Sequence, residues 1–168
     1  MKNRTLLILI LFLLTSSVLC FAQDKKKANS RYYTVTRVID GDTFWIDDGS
    51  EKGLKIRLIG VDAPETRRTR NKEIGYYSQE AKAYLEKLIS NKKVRLEFDV
   101  DTLDLYQRTL AYVYLENGTF INAKLVKEGY AMVSTVPPNV KYAEKFVELA
   151  RKAREKERGL WGDSEMDR

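Results

Sequence analysis

The stretch YTVTRVIDGDTFWI, residues 33–46, contains two strand-like segments on either side of the turn sequence Asp40-Gly41-Asp42. β-Branched and aromatic residues fill both segments, and Asp and Gly are residues that tight turns favour. A third strand-like segment, residues 54–61, follows the turn sequence Asp48-Gly49-Ser50. Together these residues predict three consecutive strands joined by short turns.

The next part of the chain predicts a helix and two further strands. Apolar residues recur at helical spacing from about Ser78 to Leu88. Residues 94–100 alternate between apolar and charged side chains, as a half-buried strand does, and residues 110–115 form a fifth apolar segment. This order predicts a fold that is mainly β with helices (α+β), a five-stranded OB-fold barrel with about three helices. An unrelated α+β sheet is the alternative.

Turn and capping signals continue after the fifth strand. Asn117-Gly118 predicts a two-residue hairpin turn before a short strand at residues 119–121. Asn122 is expected to cap a short helix that runs through Lys127 and stops at Gly129. These signals add a second helix to the predicted barrel.

The rest of the chain predicts one domain with a short tail. A last helix is expected to start at residues 137–139 and to end at Gly159. No internal repeat or domain boundary is visible, so residues 32–163 are predicted to be a single domain. Residues 23–31 are expected to be a flexible lead-in, and residues 164–168 a disordered tail.

Residues 1–22 are predicted to be a cleaved signal peptide. Two positive residues precede the apolar run 6–14, and small residues stand at Cys20 and Ala22 before the expected cleavage point. The run is too short for an ordinary spanning helix, so the mature chain is expected to lack a membrane span. The predicted location is secreted or periplasmic. A retained anchor and a lipoprotein acylated at Cys20 are the alternatives.

The composition is that of an ordinary globular protein, and it excludes several kinds of catalysis. The 168 residues include 30 Lys and Arg, 24 Asp and Glu, and no His, for a net charge of +6. Without His there is no Ser-His-Asp triad, Cys-His dyad or His-ligated zinc. Any acid–base catalysis must therefore use a carboxylate, Lys, Tyr, Arg or metal-bound water.

Carboxylates and arginines cluster around the predicted strand ends. Taken singly, Asp42 and Asp62 have ordinary explanations as turn and loop residues. Arg57 could lie on the solvated face of a strand, and Arg108 could belong to a plain loop. Their combination without His resembles a metal-assisted phosphodiesterase. Carboxylate oxygens suit hard divalent cations, and the planar Arg side chain matches phosphate.

The sequence resembles the staphylococcal nuclease (thermonuclease) family over about residues 33–161. The family's fold is an OB barrel with added helices. The motifs that carry the resemblance are residues 38–43, 57–66, 104–108, 110–112, 137–139 and 159–161.

The resemblance implies a calcium site. Asp42 and Asp62 match the family's two calcium-binding aspartates, and the backbone carbonyl of Ala63 matches its third protein ligand. Asp40 is expected to support these ligands without itself binding the ion.

The resemblance also implies catalytic and substrate-binding roles. Glu65 matches the glutamate that activates or positions water, Arg57 and Arg108 match the phosphate-binding arginines, and Tyr106 matches a tyrosine that contacts a substrate phosphate. The implied reaction is calcium-dependent hydrolysis of DNA and/or RNA to 3′-phosphate products by a monomer. Leu105 departs from the family pattern, where the staphylococcal enzyme has a Lys.

Two other functional classes remain open at the level of sequence. The first is a non-catalytic OB-fold module that binds single-stranded nucleic acid, and the second is a structural or interaction protein of the cell envelope. In the first, aromatic residues would serve as stacking platforms for bases. The candidates are Tyr32, Tyr33, Trp45, Tyr76 and Tyr77.

Overall fold

The computed structural model of the protein describes residues 31–66 and 74–162. The predicted signal peptide, nearly all of the predicted lead-in and the predicted tail lie outside the described residues. Within the two described ranges, no helix has the length and apolar character needed to cross a membrane.

Five strands close into a barrel, as predicted. They are β1 (Tyr32–Asp40), β2 (Thr43–Asp47), β3 (Leu54–Leu58), β5 (Lys93–Glu97) and β6 (Thr109–Leu115). Their order around the barrel is β1-β2-β3-β6-β5, and the β3–β6 pair is parallel while the other pairs are antiparallel. The predicted OB-fold α+β class is confirmed.

The remaining elements extend the barrel. They are β4 (Gly60–Asp62), α1 (Ser78–Ile89), α2 (Ile121–Lys127), β7 (Met132–Ser134), α3 (Ala143–Glu155) and the 3₁₀ turn Gly159–Trp161. β4 and β7 pair as a small antiparallel sheet. The core fills the barrel interior with apolar side chains from alternate strand positions, such as Phe44, Ile46 and Ile56, and extends beneath the helices.

The prediction of one continuous strand at residues 54–61 is wrong. β3 ends at Leu58, and the chain leaves the barrel at Gly60, which has a φ of 78°. A Cβ at Gly60 would also lie 2.5 Å from the ring of Phe146, so a side chain does not fit there. The break transfers Val61 and Asp62 to the separate sheet of β4 and β7.

The strand predicted at residues 94–100 is shorter than expected. β5 ends at Glu97, and the side chains of Phe98 and Val100 are 48% and 69% exposed. The Asp99 carboxylate accepts hydrogen bonds from the Tyr112 hydroxyl at 2.9 Å and from the Lys141 N–H at 3.1 Å. These tertiary contacts turn the chain where alternation alone continues the strand.

The chain turns one residue earlier than predicted, at Leu115–Gly118 with Glu116 and Asn117 at its centre, and residues 119–121 do not form a strand. The Gly118 N–H donates to the Leu115 carbonyl at 2.9 Å, and α2 begins directly at Ile121. α2 ends at Lys127 and Gly129 follows with a φ of 76°, which confirms the predicted stop.

Asn122 lies inside α2 and does not cap it. Its buried side chain accepts a hydrogen bond from the Val113 N–H at 3.0 Å and donates one to the Ile59 carbonyl at 2.9 Å. Asn122 therefore joins α2 to β6 and to the segment between β3 and β4. A cap and a buried cross-link use the same short polar side chain, so sequence alone did not separate them.

The last helix starts later than predicted. Asn139 closes a turn with its N–H to the Val136 carbonyl, and α3 begins at Ala143. It ends at Glu155, and Gly159 instead starts the 3₁₀ turn, where the Leu160 N–H donates to the Gly129 carbonyl at 2.8 Å.

We expect Asn122→Ala to lower the free energy of unfolding by roughly 2–4 kcal/mol, because it leaves a buried N–H and a buried carbonyl without partners. Urea denaturation followed by circular dichroism measures this. Asn117→Ala is the control, because Asn117 makes its hydrogen bond to Thr119 at an exposed turn and its loss should cost less than about 1 kcal/mol. Equal losses in the two variants would contradict the cross-linking role of Asn122.

Candidate active site

The Arg57 guanidinium lies between two carboxylates. Its Nη1 is 2.5 Å from Asp42 Oδ2 and its Nη2 is 2.6 Å from Asp62 Oδ1. Nη1 also donates to the Val61 carbonyl at 3.1 Å. The three charged side chains therefore form one connected ion-pair cluster.

Three different strands and turns supply this cluster. Asp42 lies in the β1–β2 turn, Arg57 lies in β3 opposite Thr43, and Asp62 ends β4. The break at Gly60 lets the chain return past β3, so that Asp62 reaches Arg57 from five residues further along. The spacing of Arg57 and Asp62 in the sequence does not by itself predict that their side chains meet.

Asp42 is the most buried member of the cluster. Its Oδ2 also accepts a hydrogen bond from the Ala63 N–H at 2.7 Å, and its Oδ1 accepts one from the Thr43 hydroxyl at 2.9 Å. Burial raises the pKa of the Asp42 carboxyl, against the opposing effects of the Arg57 guanidinium and of these hydrogen bonds. The carboxylate is thus held in place by three neighbours.

The loop that carries Glu65 is fastened at both sides. The Thr66 hydroxyl and N–H donate to Asp40 Oδ1, and the Gly75 N–H donates to the Glu65 carbonyl at 2.9 Å. Asp40 therefore contacts the loop after Ala63, and in this way supports the segment expected to hold a metal ligand and the water-directing glutamate. The predicted role of Asp40 remains a prediction.

A second turn positions Arg108. Asp104 Oδ1 accepts the N–H groups of Tyr106 at 2.8 Å and of Arg108 at 3.0 Å, while its Oδ2 accepts Arg108 Nε at 2.6 Å. Burial opposes ionisation of Asp104, but these hydrogen bonds outweigh it and hold the pKa of the carboxyl below its ordinary value. Asp104 therefore fixes both the turn and the guanidinium.

Arg57 and Arg108 line one cleft of about 220 Å³. Asn139 stabilises its wall, because the Asn139 side chain accepts the Asp101 N–H at 2.8 Å and donates to the Asp101 carbonyl at 2.9 Å. Tyr106 is 78% exposed, and the Arg108 guanidinium lies 5.3 Å from its ring centroid. Two guanidinium groups thus line one cavity, together with Asp101 and Asp104, and their free N–H donors suit an anion such as a phosphodiester.

The donors around Arg57 suit a hard divalent cation. Asp42 and Asp62 offer oxygen atoms that already converge on one positive group, and such oxygens are the ligands that Ca²⁺ prefers. Within residues 31–66 and 74–162, no group of three or more Asp, Glu, His or Cys side chains forms a metal cluster. Backbone oxygen and water would complete a coordination shell here.

The family described as "Staphylococcal nuclease homologue" matches residues 55–163. The chain belongs to the staphylococcal nuclease family. The resemblance deduced from the sequence motifs is therefore confirmed.

Several relatives in the staphylococcal nuclease family align with most of the chain. Thermonuclease of Staphylococcus hyicus is 42% identical over 137 residues, which cover 81% of this chain and 79% of the relative. Thermonuclease of Staphylococcus intermedius is 41% identical, covering 84% and 82%. Endonuclease YncB of Bacillus subtilis is 36% identical, covering 78% and 62%.

The structure adds residues that sequence reasoning missed. Asp104, Thr66 and Thr43 hold the residues predicted to do chemistry, and Asn139 holds the cleft wall. The sequence does contain a signal for Asp104. An Asp whose side chain accepts N–H groups a few residues later, here those of Tyr106 and Arg108, is typical of a turn. The contact of Thr43 is with its neighbour Asp42, whereas Thr66 and Asn139 contact residues far apart in the chain, which no local pattern predicts.

We expect Asp104→Asn to reduce the free energy of unfolding by roughly 1–2 kcal/mol at pH 7, because one carboxylate oxygen becomes an NH2 group, so a single oxygen cannot accept both the backbone N–H groups and Arg108 Nε. The pKa of Asp104 is lowered in the folded state, so its contribution is present above the ordinary Asp pKa and is lost as the pH falls through the folded value. The difference from wild type should therefore shrink below about pH 4.

Urea titrations of both proteins from pH 7 to acid check this expectation. Asp47→Asn is the control for the removal of one exposed negative charge. A difference that is constant with pH would show that the Asp104 carboxylate does not stabilise the fold through its charge.

Proposed function

We propose that this protein is a calcium-dependent nuclease that hydrolyses phosphodiester bonds of DNA and/or RNA to 3′-phosphate products. The observation that carries the proposal is the placement of Arg57 between Asp42 and Asp62, on the wall of a cleft that Arg108 also lines. Membership of a family whose relatives are called thermonucleases and endonucleases supports it.

Arg57 retains capacity to bind a phosphate. Its contacts with Asp42, Asp62 and the Val61 carbonyl use three of the five N–H donors of a guanidinium. The remaining donors and the Arg108 guanidinium would bind the phosphate oxygens and stabilise the charge that develops on them in the transition state. One donor in such a role typically supplies about 3–4 kcal/mol.

Asp42, Asp62 and the Ala63 carbonyl are the proposed ligands of calcium. When bound, the ion supplies positive charge to a phosphoryl oxygen of the substrate. Occupation by the ion would compete with Arg57 for both carboxylates, which leaves Arg57 more of its donors for phosphate.

Glu65 is proposed to orient or deprotonate the attacking water, and Tyr106 to contact a neighbouring phosphate. The hydrogen bonds that fasten residues 63–66 on both sides keep the Glu65 backbone fixed relative to Asp42. A positioned carboxylate can accept the proton of the water as the new P–O bond forms and the P–O5′ bond breaks, and the released 5′ oxygen takes up a proton to become a hydroxyl.

We further propose that residues 1–22 direct export and that the mature protein acts as a secreted or periplasmic monomer. An extracellular environment supplies calcium at concentrations that weak sites of about 10⁻⁴–10⁻³ M affinity can use. The binding-only alternative from the sequence predicts nucleic-acid affinity without cleavage, so a cleavage assay distinguishes the two.

Calcium should activate cleavage of single-stranded DNA, and excess chelator should abolish it. Asp62→Asn removes a charged ligand, so we expect calorimetry to give a calcium affinity reduced by about tenfold or more. Asp47→Asn, at an exposed position, should bind calcium as the wild type does. Cleavage that continues undiminished in chelator would refute the metal role, and unchanged calcium affinity in Asp62→Asn would refute the ligand assignment.

Glu65→Gln should lower single-turnover cleavage by about 10²–10⁴-fold, because the amide cannot accept a proton. Binding of single-stranded DNA in calcium should stay unchanged or improve, since the variant has one negative charge less beside a polyanion. Glu116→Gln, in the exposed turn after β6, is the matched control. A parallel loss of cleavage and binding would make Glu65 a structural residue of the loop.

A further inference from the structure

Trp45 lies in a row of outward-facing side chains that crosses three strands. It pairs with Arg37 of β1 on one side and with Lys55 of β3 on the other. Its chain neighbours Phe44 and Ile46 are fully buried, so Trp45 is on the outer face of the barrel. An indole thus stands between two cations on one sheet surface.

The row borders a shallow pocket of about 310 Å³ that Thr36, Arg37, Trp45 and Lys52 line. Trp45 is only half-buried, which leaves part of its indole ring open to a ligand. Among the described residues, Arg37, Lys52 and Lys55 have no ion-pair partner. The cations are therefore available to an external anion without breaking an existing pair.

The outer face that carries this row continues into the candidate active site. Thr43 and Arg57 form the next pair on the same side of β2 and β3, two residues from Trp45 and Lys55, and of the two Thr43 is buried and Arg57 half-buried. At about 3.3–3.4 Å per residue, the two pairs are about 7 Å apart. A chain-like ligand bound at Arg57 can therefore lie across Trp45 without leaving the sheet.

Acidic residues bound the opposite end of this face. Asp47 and Asp48 follow Trp45 on β2 and in the turn after it. Asp47 accepts the Gly49 N–H at 2.9 Å, and Asp48 accepts the Ser50 N–H at 3.1 Å. Their carboxylates are used within the turn, and their charge disfavours a polyanion there. A polyanion is thus directed from Trp45 toward Arg57.

We propose that this outer face of β1–β3 is an accessory binding surface for a single-stranded segment of the nucleic-acid substrate, with a base stacked on Trp45. Phosphates on either side of that base would lie near Arg37, Lys52 and Lys55. The proposal rests on the proposed nuclease function, and it assigns to the face the capture of a long substrate rather than chemistry.

The combination of groups favours nucleic acid over other polyanions. A polymer without bases would use the cations, but it would gain little from a half-exposed indole. Base–aromatic stacking is tolerant of sequence and adds to phosphate contacts, and the faces of strands 2 and 3 of OB barrels are suited to oligonucleotides. The surface therefore adds affinity with little preference for sequence.

The test measures affinity for a short phosphorothioate oligothymidylate by fluorescence anisotropy. Trp45→Leu keeps an apolar side chain but removes the stacking ring, and we expect it to weaken binding about tenfold. Trp45→Phe keeps a ring and should bind nearly as the wild type does. If Trp45→Leu reduces stability, the surface is still tested by the affinities of two other variants. These are Trp45→Phe, which keeps a ring, and Lys55→Ala, which loses a cation.

Salt dependence tests the cations separately. Lys55→Ala should reduce the slope of log affinity against log salt concentration by about 0.7, as expected for the loss of one phosphate contact on a single strand. Lys156→Ala, at the exposed end of α3, is the matched control and should leave the slope unchanged.

Two further readouts separate this proposal from the nuclease function. The chain has two Trp residues, so Trp161→Phe leaves Trp45 as the sole tryptophan, and its fluorescence should be quenched when the oligothymidylate binds. Cleavage of a single-nucleotide p-nitrophenyl phosphodiester, which is too short for the accessory surface, should be unchanged in Trp45→Leu.

Equal affinity of wild type and Trp45→Leu for the oligothymidylate would overturn the proposal. An equal loss of affinity for polyphosphate, which has no bases, would also overturn it. If the wild type cleaves neither substrate, the nuclease proposal fails, while the binding and quenching experiments still decide whether Trp45 contacts a base.

Discussion

The ion pairs of Arg57 with Asp42 and Asp62 are the constraint on which the rest of the structure depends. A buried carboxylate such as Asp42 is costly without a compensating charge and hydrogen bonds, and Arg57, Ala63 and Thr43 supply them. These contacts exist only when β2, β3 and β4 are all in place. The residues proposed to do the chemistry are therefore held by the same contacts that join β2, β3 and β4.

Arg108, the other arginine of the site, is also held in place by polar side chains. Arg108 belongs to a turn that Asp104 closes, and Asn139 joins two loops of the cleft wall. Each link is a short polar side chain that satisfies backbone groups of a distant or neighbouring segment. The two arginines that line the cavity are thus each held by carboxylates before an anion arrives.

The candidate site could be predicted from the sequence because its residues occur in family motifs, not because their geometry is visible in the sequence. The absence of His restricted the chemistry, and the motifs around Arg57 and Arg108 gave those residues a shared role. Thr66 and Asn139 were not predicted as site-supporting residues. Their partners are Asp40, 26 residues earlier, and Asp101, 38 residues earlier, and such pairings arise only on folding.

The sequence by itself determined the approximate positions of the five barrel strands, a turn close to Asn117 and the helix stop at Gly129, because these depend on local backbone preferences. Only the tertiary structure decided the break at Gly60, which removes Asp62 from the barrel and returns it to Arg57. That break depends on the packing of Phe146 against Gly60 and on the pairing of β4 with β7. These partners lie 70 or more residues away, so burial and strand pairing, not local preference, fixed the site.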